Sequence, residues 1–162
     1  MVLDRVNKVA YMGLSPRSDE KIACRWAEEN DYEIIIFETQ GHIGKPIYHT
    51  DVLMFIGTDV AVISTNTIKK EYQSTVKNKL SQMHSIIEIT RAQILNFCGN
   101  CMEVKGDNNE LNLVMSTRAY NSYSGTQKQL LLEHYDKIIH SNITTIENYG
   151  GGSARCMMME LF

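Results

Sequence analysis

The 162-residue chain lacks the features that mark several specialised classes of protein. Its net charge is only −3, which gives no indication of a nucleic-acid partner. No stretch approaches the roughly 18 consecutive apolar residues of a membrane-spanning helix, and the N-terminus has no basic region followed by a long apolar core, as a secretion signal would. With two prolines and no proline- or glycine-rich linker, the sequence predicts one cytoplasmic domain over residues 1–162, without a nucleic-acid or membrane partner.

Cysteine is scarce too, with four residues in the whole chain. Cys98 and Cys101 have the C-x-x-C spacing of zinc and redox sites, but a zinc site takes about four ligands and no second pair follows. We therefore interpret this spacing as a coincidence and expect no metal. Cys24 is expected to be structural, and reduced thiols agree with a cytosolic protein.

The clearest functional signal lies in the last fourteen residues, 149–162 (YGGGSARCMMMELF). Three consecutive glycines permit positive φ and close approach of a ligand to the backbone. Arg155 would favour the thiolate of Cys156, and the thiolate is the nucleophilic form of cysteine. We predict that Cys156 is a displayed nucleophile and that residues 156–162 form a closing strand, with the methionines at 157–159 in the core. The alternative is a flexible GGGS linker before a hydrophobic tail.

A second signal lies in residues 46–57 (PIYHTDVLMFIG), where His49 and Asp51 stand two positions apart at the start of an apolar run. In a strand this spacing puts both side chains on one face. Histidine is suited to move protons near neutral pH, and a carboxylate beside it can hold the imidazole or bind a cationic substrate. The pair is therefore a candidate catalytic pair, although a histidine before a strand can also be purely structural.

The pattern strand, strand, helix, strand recurs three times. Apolar strands are predicted at 8–15, 59–65 and 111–117. The helices that follow are predicted at 18–30 (with Ser18 as the cap), 67–83 and 126–140. The returning strands are predicted at 33–39, 85–90 and 142–147. The repeat units are therefore about 2–39, 52–90 and 100–147, and the first begins with only the short strand 2–4.

His-x-Asp before a strand, followed near the C-terminus by Gly-Gly-Gly-x-x-x-Cys-Met, resembles the guanidine-modifying, or pentein, superfamily. This superfamily contains arginine deiminases, amidinotransferases and dimethylarginine hydrolases, and the resemblance is strongest to the citrulline-utilisation hydrolases. It extends over essentially the whole chain, through the stretches 14–20, 47–57, 97–106, 113–120 and 145–162. Members have five ββαβ units around a central site, and this chain resembles about the C-terminal half. The implied fold is α/β, a partial α/β propeller of about three units.

The resemblance also implies a mechanism. Cys156 would attack the guanidino or ureido carbon of arginine, citrulline or a related compound, and His49 would protonate the departing amine and then activate water. Asp51 would bind substrate N–H groups. The predicted substrate-binding set is completed by Gly151, Gly152 and Arg155, and no metal or organic cofactor is required.

Two carboxylates that support this site in the superfamily lie upstream of any position in this chain, and Glu103 or Glu160 could replace one of them. The resemblance therefore leaves three alternatives: an enzyme or one half of a split enzyme, a catalytically silent binding or assembly module, and a truncated reading frame. An array of about three units would leave strand edges open, so we expect self-association or a partner chain that covers them.

Overall fold

The computed structural model describes residues 1–41 and 44–159, and within them the chain forms three small sheets. Each sheet has three strands in sequence order. The strands are β1 Val2–Asp4, β2 Val9–Leu14, β3 Glu33–Glu38, β4 Met54–Ile56, β5 Val60–Ile63, β6 Ser85–Glu88, β7 Met102–Lys105, β8 Leu111–Ser116 and β9 Lys137–Ser141. The helices are α1 Glu20–Glu29, α2 Lys70–Ser81, α3 Arg91–Leu95, α4 Thr117–Ser122, α5 Gly125–Leu132 and α6 Thr144–Gly150.

All three sheets have the same topology. The first two strands pair antiparallel across a short turn, and the second and third pair parallel. Parallel neighbours need a crossover connection, which α1, α2 and α5 supply. The predicted order of strand, strand, helix and strand is therefore confirmed in each unit, as is the mixed α/β class.

The units adjoin through their first strands and their helices. Strand β1 contacts β4 and β4 contacts β7, while α2 packs against both β3 and β6. These contacts line up the three sheets side by side, and the arrangement of the units as a partial propeller stays a prediction.

The core follows the middle strand of each sheet. All four residues of β5 are fully buried, as are Tyr11 of β2 and Leu113 of β8. Strands that are covered on both faces have continuous apolar sequences rather than alternating ones, and β5 (VAVI) fits this rule. The middle strands therefore form a rigid base from which the connecting loops project.

Side-chain caps determine where several helices begin. Asp19 caps α1 by accepting from the backbone N–H of Ile22, so the predicted cap at Ser18 is wrong. The Ser18 hydroxyl instead accepts from the N–H of Ser15 at 2.8 Å, within the preceding turn. A capping box at Ser124 starts α5 in the way that sequence rules describe.

The third unit departs from the predicted boundaries. The predicted helix 126–140 ends at Leu132, and the returning strand is Lys137–Ser141, not 142–147. Residues 144–150 form α6, and the side chain of Asn142 accepts from the N–H and the hydroxyl of Thr144 in the turn before this helix.

The predicted closing strand 156–162 is wrong in its described part, because Arg155–Met157 form a short 3₁₀ helix. The N–H groups of Met157 and Met158 bond to carbonyl groups three residues earlier, so they do not donate to a neighbouring strand. Met159 is 81% exposed, so the methionine run does not enter the core. Residues 160–162 lie outside the described part of the chain.

Within residues 1–41 and 44–159, no helix is long and apolar enough to cross a membrane.

Candidate active site

Cys156 follows the loop that leaves α6. Gly151 ends this helix in the left-handed conformation at φ +71°, which glycine adopts without steric cost. A side chain on Gly152 would place its Cβ 2.9 Å from the Cβ of Cys156 and 3.1 Å from Sγ. The glycines therefore turn the chain sharply and leave the Cys156 side chain exposed.

A buried carboxylate fixes the base of this loop. The hydroxyl of Ser153 donates to Oε1 of Glu147 at 2.7 Å, and Arg118 Nε lies 3.1 Å from Oε2 of the same carboxylate. The Glu147 side chain is wholly inaccessible to solvent, so these two partners replace the contacts that water would make. Arg118 also donates to the side chain of Asn148 at 2.7 Å, which ties α4 to α6.

Asn100 connects Cys156 to Asp51. Its Nδ2 lies 3.2 Å from the sulfur of Cys156, 3.2 Å from the backbone carbonyl oxygen of Asp51 and 3.3 Å from Oδ2 of the Asp51 carboxylate. The thiol itself is 3.8 Å from that same Oδ2. A thiol, a carboxylate and an amide from three distant parts of the sequence are thus in direct contact.

The C-x-x-C segment builds the loop that presents Asn100. Cys98 and Cys101 are fully buried, and burial raises the pKa of Cys98 to about 12 and also raises that of Cys101. The Cys98 carbonyl accepts from the hydroxyl of Tyr123 at 2.5 Å and from the thiol of Cys101 at 3.4 Å. A Cβ on Gly99 would lie 2.3 Å from the carbonyl oxygen of Val52, so this loop packs directly on the backbone that follows Asp51.

His49 lies in the connection between β3 and β4. Its backbone is extended, and residues 50–52 then form a 3₁₀ helix rather than the predicted strand. The argument from strand alternation for His49 and Asp51 is therefore wrong. The position of the segment is fixed instead by the hydroxyl of Thr50, which is buried and accepts from the N–H of Gly13 at 3.0 Å.

The predicted catalytic residues open onto one cavity of about 320 Å³. Its walls contain His49 and Cys156 together with Asn100, the three glycines at 150–152, Tyr48 and Arg17. A second cavity of about 270 Å³ contains Asp51 and shares His49, Tyr48 and Arg17 with the first. The two predicted substrate-binding glycines, Gly151 and Gly152, thus lie in the same cavity as the thiol, and Asp51 lines the second cavity.

Arg155 is placed elsewhere, although it is the neighbour of Cys156 in sequence. Its side chain lines a separate cavity with Asp4 and Glu103. Glu103 accepts from the N–H of Thr58 at 2.9 Å and from the hydroxyl of Thr58 at 2.6 Å. Neither Arg155 nor Glu103 is therefore brought to the cavity that contains Cys156. Glu160, the other acid considered as a substitute, lies outside the described residues.

Sequence reasoning missed two residues at the site, Asn100 and Arg17. The Asn100 side chain contacts both Cys156 and Asp51. Arg17 lies in the stretch 14–20, and its position on the walls of both cavities depends on how β2 turns into α1. In the described parts of the chain, no group of three or more His, Cys, Asp or Glu side chains could hold a metal ion.

The sequence model of the eukaryotic N,N-dimethylarginine dimethylhydrolases matches residues 1–162. The chain belongs to this family. The broader superfamily predicted from the motifs is thereby confirmed, while the citrulline-utilisation branch and the correspondence to a C-terminal half stay predictions. A comparison with curated protein sequences gives no match.

Solved structures with the same fold include enzymes of arginine metabolism. The product-bound N-terminal domain of ArgZ, an arginine dihydrolase of cyanobacteria, has a TM-score of 0.74 at 18% identity over 96–97% of this dimethylhydrolase-family chain and 52% of its own. AgrE with ornithine and NAD⁺ has a TM-score of 0.76 at 18% identity, over 97% of this chain and 21% of its own. The amidinotransferase SxtG from Microseira wollei has a TM-score of 0.62 at 12% identity, over 96% and 45%. These likenesses show the fold, and the chain spans about half the length of the ArgZ domain.

Proposed function

We propose that this member of the dimethylarginine dimethylhydrolase family carries a cysteine-dependent site for hydrolysis or transfer at the guanidino or ureido carbon of arginine, a methylated arginine, citrulline or a related compound. The observation that carries the proposal is the shared cavity, in which His49 and Cys156 face the same space. The Asp51 carboxylate is 3.8 Å from the thiol. A thiol and an imidazole on one small cavity, with a carboxylate in contact with the thiol, suit an electrophilic carbon that bears several N–H groups.

The reaction proceeds in two displacement steps. The Cys156 thiolate adds to the planar carbon, a C–S bond forms, and the C–N bond to the departing amine breaks as His49 supplies a proton to that nitrogen. His49 then takes a proton from water, the hydroxide oxygen adds to the same carbon, and the C–S bond breaks to return the thiolate. An acceptor amine in place of water would give transfer instead of hydrolysis.

The charge around the thiol favours a cationic substrate. The Asp51 carboxylate lies 3.8 Å from the thiol. A guanidinium that contacts both groups would pair with the negative charge of the carboxylate and hold its carbon against the sulfur. A neutral ureido group offers the N–H groups without the positive charge. We therefore propose a preference for guanidino over ureido substrates.

Arg17 is the proposed ligand for the other end of an amino-acid substrate. It lies on the walls of both cavities that meet at His49, and its guanidinium lies over the ring of Tyr48, 5.4 Å from the ring centroid. A guanidinium presents a planar fork of donors that matches a carboxylate. A substrate with a free carboxylate would thus be bound at both ends.

Turnover assays with purified protein test the proposal. The substrates are arginine, N,N-dimethylarginine and citrulline, and the released ammonia or dimethylamine is measured. We expect turnover that is lost by at least about 1000-fold in Cys156→Ala and in His49→Ala, since removal of the nucleophile or the proton carrier of a covalent mechanism is this costly. Cys24→Ala is the matched control and retains activity. Turnover that survives Cys156→Ala would refute the proposed mechanism.

Self-association, or a partner chain, is proposed for the third sheet. In the first sheet, helix α2 packs on the last strand, β3, and in the second sheet Gln127 of α5 donates to the backbone carbonyl of Glu88 in the last strand, β6. Strand β9 is largely exposed, and Ile139 on it is 47% exposed. Sedimentation at micromolar concentration should show a species larger than the monomer, and a monomer at all concentrations without a partner would contradict this expectation.

A further inference from the structure

Tyr48 contacts three of the groups that form the candidate site. Its hydroxyl donates to the carbonyl of Gly151 at 2.9 Å, and its ring lies 4.7 Å from the ring of His49. The guanidinium of Arg17 lies over the Tyr48 ring, 5.4 Å from the ring centroid. We infer that Tyr48 is a positioning residue, which holds the glycine loop that carries Cys156 in register with His49. The inference rests on the proposed function, since it concerns the geometry of the same reaction.

The hydroxyl is the group that spans the cavity. Its bond to Gly151 joins positions 103 residues apart in sequence. Glycines have the widest conformational freedom of any residue, so Gly151 and Gly152, which follow α6, are ordered by an external contact. The bond from Ser153 to Glu147 fixes the loop at its far end, beyond the glycines. The Tyr48 hydroxyl is thus placed to fix the glycines themselves.

Tyr48 is itself held in place from the side of β2. Its backbone carbonyl accepts from the hydroxyl of Ser15 at 2.9 Å, and Thr50, two residues later, accepts from the N–H of Gly13. The ring is inclined at 54° to the imidazole of His49 and limits the rotation of that side chain. Tyr48 therefore links strand β2 both to His49, the proposed proton carrier, and to the loop that carries Cys156, the proposed nucleophile.

This role predicts an effect on the chemical step more than on binding. Misplacement of a reacting group by about 1 Å can lower a rate on the order of 100-fold, and loosening of a loop that remains anchored at one end should cost less. For Tyr48→Phe we expect kcat to fall about tenfold with KM within about twofold, because the ring that faces His49 and Arg17 is retained.

The experiment compares Tyr48→Phe with Tyr149→Phe, which removes the hydroxyl of a tyrosine that is 90% exposed and adjoins the same glycines. Kinetic constants are measured together with hydrogen–deuterium exchange of the peptide that covers residues 149–157. We expect exchange to become several-fold faster in Tyr48→Phe, with thermal stability unchanged since Tyr48 is 43% exposed. Tyr149→Phe should match the wild type in both measurements.

The two readouts separate this inference from the proposed function. If the wild type turns over no guanidino or ureido compound, the proposed function fails, and the exchange of residues 149–157 still decides whether Tyr48 holds the loop. Unchanged exchange in Tyr48→Phe overturns the inference. An increase in KM with an unchanged kcat also overturns it, because Tyr48 would then contact substrate rather than position the reacting groups.

Discussion

The loop at residues 96–101 and the segment at residues 150–157 meet at the candidate site, yet they place their cysteines in opposite environments. Cys98 and Cys101 are fully buried, and burial raises the pKa of both thiols. Cys156 is exposed and contacts an amide and a carboxylate. The recognisable C-x-x-C motif is thus the buried pair, and the single cysteine after the glycines is the one for which we propose a chemical role. Environment, and not the spacing of the motif, determines the role of each thiol.

The largest effect expected from this comparison is in alkylation by iodoacetamide. Cys156 should react on the order of 1000-fold faster than Cys98 and Cys101, because the buried thiols become accessible only through local unfolding. Half-buried Cys24 should also react more slowly than Cys156. Mass spectrometry of the peptides over time measures all four rates. In denaturant the four rates should converge, and similar rates in the folded protein would show that the two environments do not differ.

Two aspartates extend the comparison from thiols to carboxylates. Asp4 is buried against His84, with 2.6 Å between Oδ2 and Nε2, whereas Asp51 lies at the cavity. Removal of one member of a buried pair leaves the other without its partner, so His84→Ala should lower the free energy of unfolding by about 3 kcal/mol. Asp51→Asn should lower it by less than about 1 kcal/mol. Urea titrations measure both, and equal losses would contradict the distinction.

The pH dependence of stability has a defined sign at Asp4. Burial by itself raises the pKa of Asp4, but hydrogen bonds from His84 and Asn7 outweigh it and lower the pKa below its usual value. A carboxyl whose pKa is lowered on folding stabilises the fold above its unfolded-state pKa and loses this contribution as pH falls through the folded-state value. The free energy of unfolding should therefore decline below about pH 4, and less steeply in Asp4→Asn. Identical profiles for the two proteins would contradict this.

A smaller effect is expected at the amide that joins the two segments. Asn100→Ala removes the donor to the Cys156 sulfur and to the Asp51 carboxylate, and turnover should fall about tenfold as the thiol loses its orientation. Asn96→Ala is the matched control, since its side chain donates to the carbonyl of Ala92 in α3. If both variants lose activity equally, the loop acts as a whole and Asn100 has no separate role.

Much of the fold could be predicted from the sequence, because the middle strands have long apolar runs and the helices have clear starts. The pattern at 59–65 predicted β5, and the order of elements in each unit followed from repetition. The predictions are wrong where local hydrogen bonds determine the secondary structure. Asn142 bonds to Thr144 in the turn before the helix 144–150, where the repeat predicts a strand at 142–147, and hydrogen bonds within residues 154–158 form a 3₁₀ turn in place of a strand.

The candidate site was predictable for residues with distinctive chemistry and not for those whose role depends on tertiary placement. Cys156 and His49 stand out by type and context, and they line one cavity. Arg155 follows a glycine loop beside the thiol in sequence, but the 3₁₀ turn directs its side chain to another cavity. Asn100 reaches the site because Gly99 allows its loop to pack against the backbone at Val52, a contact between distant segments that no local pattern reveals.

The most direct test of the central claim, that Cys156 attacks the carbon of a guanidino substrate, is the capture of the covalent intermediate. The protein is mixed with arginine or N,N-dimethylarginine, quenched in acid within a turnover, and analysed by intact mass and peptide mapping. We predict a mass increase on Cys156 that equals the mass of the substrate minus that of its departing amine. If the activation of water by His49 is slower than the protonation of the amine, more of this adduct should accumulate in His49→Ala. An adduct on Cys24, Cys98 or Cys101, or turnover of these substrates by Cys156→Ala at the wild-type rate, would contradict the account.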